Sequence, residues 1–182
     1  MTMRDIRVLA ICGSLRRRSS NAELLAALAR AAPPNVTITL FDGLAALPAF
    51  SPDFDADGNT PAGVARFRRL LEAHDAVVIS SPEYAHGMPG ALKNALDWVV
   101  GSGELIAKPV AVVNASTHAT RAWRSLVDTL GVMSACVVEE ASVTVPVQGR
   151  GLDADGIHAD PALLALLTSL LQTLAGVAIA GR

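Results

Sequence analysis

Apolar runs and amphipathic runs alternate from one end of the chain to the other. Ile6–Cys12 is apolar apart from Arg7 and predicts a buried strand. Residues 20–32 are amphipathic and predict a helix, stopped by Pro33-Pro34. Residues 36–40 are mostly β-branched, alternate apolar with polar side chains, and predict a second strand. Residues 41–60 form a long connection rich in Pro, Asp and Gly; loops of that length usually serve a function or cover something. Pro61 opens a second helix reaching Ala73, with Val64, Phe67, Leu70 and Leu71 facing inward. A third strand follows at 75–80, a third helix from Pro89-Gly90 to Val100, and a fourth strand at 109–114. A fourth helix over 120–130, a fifth strand within 136–145 and a closing helix from near Pro161 complete the pattern.

Strand and helix alternate throughout, and the strands are continuously apolar. Such strands belong to a parallel sheet covered by helices on both faces. Five strands and five helices suit an α/β, flavodoxin-like, doubly wound five-stranded sheet of order 2-1-3-4-5, in one domain over residues 1–182. Ligands of such sheets bind beyond the C-terminal strand ends, at the switch point between strands 1 and 3. Chemistry is therefore expected in the turns after those strands.

Composition narrows the classes. With 182 residues, 51% hydrophobic and 18% charged, the chain reads as an ordered domain with a real core. A net charge of −2 gives no electrostatic case for nucleic acid, and Arg16-Arg17-Arg18 is too small a cluster for a DNA footprint. Cys12 and Cys136 lie in apolar strand-like runs and read as small buried hydrophobes, in keeping with a reducing cytoplasm. Ile6–Cys12 is interrupted by Arg7 and runs straight into a glycine turn, so it does not read as a signal-peptide core. The run 161–180 is very apolar, yet Thr168, Ser169, Gln172, Thr173 and Gly176 form one stripe and Leu163, Leu167, Leu170, Leu171 and Leu174 the opposite one. That pattern predicts a packed helix, not a membrane span.

Candidate chemistry gathers in two turns. The first is Gly13-Ser14-Leu15-Arg16-Arg17-Arg18-Ser19-Ser20-Asn21, which opens a helix. Helix N-termini present free N–H groups and a favourable dipole to anions. Ser14, Ser19 and Ser20 add hydroxyls, Asn21 an amide and Arg16 a charged fork suited to phosphate, with Arg17 and Arg18 as solvent neighbours. A serine cap with an adjacent Asn also explains the pattern without a ligand. Neither G-x-G-x-x-G nor G-K-[ST] is present there. The second turn runs from Ser81 through Pro82-Glu83-Tyr84-Ala85-His86-Gly87 to Gly90. Pro82 stiffens it, the peptide N–H groups from Glu83 onward can face a planar polar ligand, and Tyr84 is placed to shield or stack. His86 reads as a surface or packing histidine rather than a base.

Gly13-Ser14-Leu15-Arg16 with Ser19 and Asn21, then Pro82-Glu83-Tyr84, then Pro89-Gly90-Ala91-Leu92-Lys93-Asn94-Ala95-Leu96-Asp97-Trp98 resemble the NAD(P)H-dependent FMN reductase family, with its chromate-, quinone- and azo-reductase-like flavoproteins. The resemblance extends to Pro48-Ala49-Phe50 with Asp53, to Ala76-Val77-Val78 and to the segment from Gly156 to Pro161, and so covers nearly the whole chain. It implies non-covalently bound FMN, with the phosphate on Ser14, Arg16, Ser19, Ser20 and Asn21. It implies that the isoalloxazine edge meets the Pro82, Glu83 and Tyr84 backbone, that Gly87 permits close approach, and that Ser116 closes the site. The glycines that the family carries soon after that serine are replaced by Thr117-His118-Ala119-Thr120-Arg121, so His118 or Arg121 could reach the nucleotide or an anionic acceptor, or lie on the surface. The resemblance further implies NADPH or NADH as cosubstrate and ping-pong hydride transfer through FMN to a quinone, azo compound, flavin or metal oxyanion, with no catalytic side chain. It also implies a homodimer or homotetramer, for which Leu96, Trp98 and Val99 are candidates if exposed. A flavodoxin-like electron carrier, or an FMN-binding module without NAD(P)H oxidase chemistry, is the alternative; such carriers are typically strongly acidic, and this chain is not.

Other constellations fail. Asp53, Asp55, Asp57 and Gly58 mimic the front of a calcium loop, but Val64 stands where the bidentate Glu is required. His74, His86, His118 and His158 lack zinc-ligand spacing, and no G-x-S-x-G elbow exists.

Overall fold

Alternate residues of the central strands face opposite helix layers, and this alternation builds the molecule. The structure, a computed structural model, describes residues 4–55 and 59–181; Asp57 and Gly58 of the calcium-like run lie outside them. Strands β1 (Ile6–Cys12), β2 (Val36–Phe41), β3 (Ala76–Ser80), β4 (Pro109–Val113) and β5 (Cys136–Val137) form one sheet in the order β2-β1-β3-β4-β5. Every pairing is parallel, with Ala10 opposite both Leu40 and Val78.

Six helices cover it: α1 (Ser20–Arg30), α2 (Ala62–Ala73), α3 (Gly90–Val100), α4 (Thr120–Val132), α5 (Ala154–Ala159) and α6 (Pro161–Ala180). Val8, Ala10, Val78 and Ala111 share one buried cluster with α1, α5 and α6. Leu9, Ile11, Val77, Ile79 and Val112 share the other with α2, α3 and α4. The expected topology is observed. The sixth helix is the short α5, which Asp153 starts by accepting from Gly156 N–H at 2.8 Å.

The fifth strand is shorter than 136–145. After Val137 the chain leaves β4 through a 3₁₀ turn at Glu139–Ala141 and returns only as an isolated bridge between Asn114 and Thr144. Side chains fill the gap: Ser142 Oγ accepts from Val112 N–H at 3.0 Å, and Trp123 Nε1–H donates to the Val112 carbonyl at 3.4 Å. A buried backbone group left without a partner is costly, and these two side chains replace the missing ladder. Cys136 is therefore exposed on the edge strand rather than buried, while Cys12 is half-buried.

The stripes of α6 segregate as their spacing requires. Leu163, Leu167, Leu170, Leu171 and Leu174 are buried in the sheet-facing cluster. Each such side chain is worth about 1.5–3 kcal/mol when removed from water. By length and apolarity alone α6 could cross a membrane, but its leucines are spent on the sheet. On α3, Leu92, Ala95, Leu96 and Val99 recur at i, i+3, i+4 and i+7, and all are buried. Leu96, Trp98 and Val99 are therefore core residues, which removes them as an association face.

The long connection after β2 is tied down by α3. Asn94 Oδ1 accepts from Phe50 N–H at 2.8 Å, and Asn94 Nδ2 and Trp98 Nε1 both donate to the Pro48 carbonyl, at 2.9 and 2.8 Å. Phe50 meets the Trp98 ring edge-on at 5.1 Å. Arg68 of α2 adds an ion pair to Asp55 at 2.6 Å and a bond to the Trp98 carbonyl at 3.1 Å. Asn94→Ala leaves Phe50 N–H and one of two donors to Pro48 missing. A loss of about 1–3 kcal/mol is expected from such an unmade bond, read as a lower urea midpoint with new proteolysis within residues 42–60.

Candidate functional site

The turns after β1, β3 and β4 meet above the C-terminal strand ends and enclose a cleft of about 1130 Å³. Ser14, Arg16, Ser19, Ser20, Asn21, Pro82, Glu83, Tyr84 and Ser116 all line it. Gly87 does not line it, and a Cβ there would meet nothing nearer than the Tyr84 carbonyl at 3.9 Å.

The first turn is held down at both ends. Gly13 N–H donates to the Ser80 carbonyl at 2.8 Å, and a Cβ on Gly13 would sit 2.8 Å from Ser81 Oγ. Any larger residue would have to push aside the Ser81 and Leu92 side chains. Ser19 caps α1 by accepting from Ala22 N–H at 3.4 Å. Asn21 Oδ1 accepts from the buried Ser80 hydroxyl at 2.9 Å, which leaves Asn21 only its N–H donors for a ligand. The plain capping role of Ser19 is thus real, and it orients the residues beside it. Burial pushes the Cys12 thiol up, so its weak bond to the Ser14 carbonyl at 3.6 Å is that of a neutral donor. Arg16 and Arg18 side chains both line the cleft and make no hydrogen bond or ion pair with any described residue. Arg18, exposed like Arg16, stands at the same cleft.

The second turn is a two-residue hairpin. Tyr84 N–H donates to the Gly87 carbonyl at 2.9 Å and Gly87 N–H returns to the Tyr84 carbonyl at 3.0 Å. The two central residues, Ala85 and His86, have φ of 49° and 65°. Such turns favour Asn-Gly, and a left-handed side chain costs roughly 1–2 kcal/mol. Glu83 holds the turn in place. Its Oε2 accepts from Arg121 N–H at 2.9 Å and from Ala122 N–H at 3.0 Å, supplying the N-cap that α4 lacks, since Ala119 offers no side-chain acceptor. Hydrogen bonding from Ala122 N–H, joined by Arg121 N–H and the Arg121 charge, outweighs the opposing effect of burial and holds the Glu83 carboxyl below its ordinary value. Arg121 Nη1 donates to His86 Nδ1 at 3.0 Å. Arg121 itself is absent from the cleft lining, whereas His86 and His118 are part of it.

The third turn hangs from Asn114, a buried residue at the end of β4. Its Oδ1 accepts from Ser116 N–H at 3.0 Å and its Nδ2 donates to the Ala119 carbonyl at 3.1 Å. Ser116 Oγ in turn accepts from His118 N–H at 3.2 Å. A fourth wall, Gln148 to Asp153, was not singled out from the sequence. It is fastened by Gln148 N–H to the Ala115 carbonyl at 2.9 Å and by Ala154 N–H to Glu23 Oε2 at 2.9 Å. The available signal was Gly149-Arg150-Gly151, where both glycines take positive φ, 81° and 66°. None of the described residues of the connection after β2 reaches the cleft, and no metal-ligand cluster exists among the described residues.

The NADPH-dependent FMN reductase family model matches residues 6–149. The chain is 35% identical to the NAD(P)H-dependent FMN reductase of Pseudomonas aeruginosa, over 93% of this chain and 94% of that one. It is 32% identical to a quinone reductase of Escherichia coli, over 61% of this chain and 60% of that one. Among solved structures it resembles a flavoenzyme NAD(P)H:(acceptor) oxidoreductase of Paracoccus denitrificans, with TM-score 0.72 and 26% identity over 94% of this chain and 98% of that one. The chain belongs to the NADPH-dependent FMN reductase family, oxidoreductases that use FMN with NAD(P)H.

The depressed Glu83 carboxyl has a defined pH signature. A folded-state value below the unfolded one adds stability that is present above the unfolded value and lost as pH falls through the folded one. Glu83→Gln should lower Tm at neutral pH, and the gap to the unaltered protein should close below the usual carboxylate range. Thermal melts across pH read this directly.

Proposed function

We propose that this protein uses FMN, seated in the cleft between the three turns, to pass reducing equivalents from NADPH or NADH to a small quinone-class acceptor. Azo compounds, free flavins and metal oxyanions are further acceptors of the same reading. The observation that carries it is the pair of unpartnered guanidiniums, Arg16 and Arg18, beside the hydroxyl-rich N-terminus of α1 in a cleft large enough for a flavin nucleotide. Both guanidiniums are exposed and face a cleft whose other donors are Ser14, Ser20 and the Asn21 amide. That donor set suits a phosphate dianion.

FMN supplies the hydride chemistry when bound. The protein's own contribution is placement. Ser14, Arg16, Ser19, Ser20 and Asn21 would hold the phosphate. The Pro82, Glu83 and Tyr84 backbone would face the ring edge, with Tyr84 beside it, and the Glu83 N–H, which no described residue takes, would stabilise negative charge on the reduced ring. Ser116 would close the opposite side. Gly87 closes the hairpin with Tyr84 and, lacking a side chain, would permit close approach of the ring. A shared face used in turn by nucleotide and acceptor gives ping-pong kinetics. Relatives carrying the names FMN reductase and quinone reductase support the reading.

The same reading includes assembly as a dimer or tetramer and a cytoplasmic setting. With the apolar face of α3 buried, the large side chains left for such contacts include the exposed Phe54, Val100 and Ile106. A reducing compartment suits two free thiols, one of them exposed.

Two measurements test this. NADPH added to purified protein in air-free buffer should bleach the flavin band within the stopped-flow record; a coloured protein that NADPH and NADH leave unbleached is a carrier instead. Arg16→Ala should weaken FMN retention by about 10- to 100-fold, the worth of one charge-assisted bond of about 1.5–3 kcal/mol. Full flavin absorbance of that variant after dialysis would sink the phosphate assignment.

A further inference from the structure

The FMN assignments above leave one polar pair at the cleft unused, His86 and Arg121. His86 lines the cleft and sits on the hairpin with φ 65°. Its Nδ1 lies 3.0 Å from Arg121 Nη1. A guanidinium has donors and no acceptor, so Nδ1 must be the lone-pair partner. The ring proton then resides on Nε2. Arg121 stands outside the cleft lining, so the imidazole edge tied to it is spoken for. Nε2–H is then the ring polar group of His86 that no described residue engages.

The arrangement is built and not incidental. The helix that carries Arg121 is fixed to the hairpin by the two bonds to Glu83, at 2.9 and 3.0 Å. The same carboxylate thus sets the distance between the hairpin and α4 that lets Arg121 reach the ring. Two consecutive left-handed residues, neither of them glycine, are kept in a turn where Asn-Gly would be easier. Backbone strain of this kind collects where a side chain is being aimed. His118, the other histidine of the cleft, has no described ring partner to fix its tautomer.

We propose that His86, locked by Arg121 as the Nε2–H tautomer on the strained hairpin, is the hydrogen-bond donor that receives a carbonyl oxygen of a quinone acceptor. The inference rests on the acceptor class proposed above. A donor at that oxygen orients the acceptor and favours the oxygen on which negative charge grows during reduction. Arg121 is a positioning residue: it acts through the ring and touches no acceptor.

The test uses the FMN-loaded protein and two substitutions that the left-handed backbone accepts. His86→Gly removes the donor, and His86→Asn keeps an amide donor. Tetramethyl-1,4-benzoquinone, which does not alkylate the exposed Cys136, is titrated into oxidised holoenzyme without NAD(P)H, and binding is read from the flavin absorbance. One neutral hydrogen bond is worth about 0.5–1.5 kcal/mol, so His86→Gly should raise Kd by roughly 2- to 12-fold and His86→Asn should recover most of the loss. The ratio of quinone to ferricyanide reduction should fall in parallel, because ferricyanide presents no carbonyl. Ring ¹⁵N shifts should show His86 as the Nε2–H tautomer, and mixed in Arg121→Met but not in Arg121→Lys.

Unaltered quinone binding by His86→Gly, with the flavin band intact, overturns the inference and leaves the functional reading standing. So does a loss in Tyr84→Phe that His86→Gly does not share, or an Nδ1–H tautomer in the unaltered protein. A protein whose flavin NAD(P)H never bleaches overturns both.

Discussion

The backbone leaving β1 lies against the turn leaving β3, and the site depends on that contact. Gly13 N–H reaches the Ser80 carbonyl, and the missing Cβ of Gly13 is what lets Ser81 sit beside it. The Ser80 hydroxyl then reaches across to Asn21 at the start of α1. Two loops distant in sequence become one surface, at the point where the order β2-β1-β3 reverses the direction in which the chain winds. A helix N-terminus and a peptide-lined hairpin thus face one cleft. Their juxtaposition, not either loop alone, makes a place for a molecule with a phosphate at one end and a polar ring at the other.

Around that contact the structure spends its buried and half-buried polar side chains on neighbours rather than on ligands. Glu83 caps α4, Asn114 suspends the turn after β4, Asn94 and Trp98 pin the long connection after β2, and Glu23 steadies the last wall. Each bond joins segments from different βα units. A site assembled from loops gains rigidity in this way, since each loop is held at a side-chain bond as well as at its two ends. What remains unpartnered, chiefly Arg16, Arg18 and the far edge of His86, is what the cleft can offer a ligand.

Much of this was legible in the residues. Continuous apolar strands alternating with amphipathic helices specify a covered parallel sheet, and right-handed crossovers leave few orders for five strands. The fifth strand reads longer than it is because Val143 and Val145 are as apolar as strand residues; they pair with Asn114 only after the 3₁₀ turn, where Ser142 accepts from Val112 N–H, and one hydroxyl is a weak signal. Cys136 and α3 were ambiguous for a related reason. An apolar neighbourhood does not tell an edge strand from a central one, nor a helix face that meets the core from one that meets a partner.

The chain by itself determined the layers, the strand order, the helix that Ser19 starts and the two turns where anions and planar ligands belong, because these follow from periodicity and local capping chemistry. Tertiary structure alone decided which side chains of those turns are free. Only the packed molecule shows that the Glu83 carboxylate caps α4, and that Ser80 takes the oxygen of the Asn21 amide. Arg18 reads as a solvent residue until the turn swings it into the cleft, and His86 as a surface residue until Arg121 fixes its proton. Partnership between residues tens of positions apart is a property of the packed molecule, and it is partnership that separates scaffold from site.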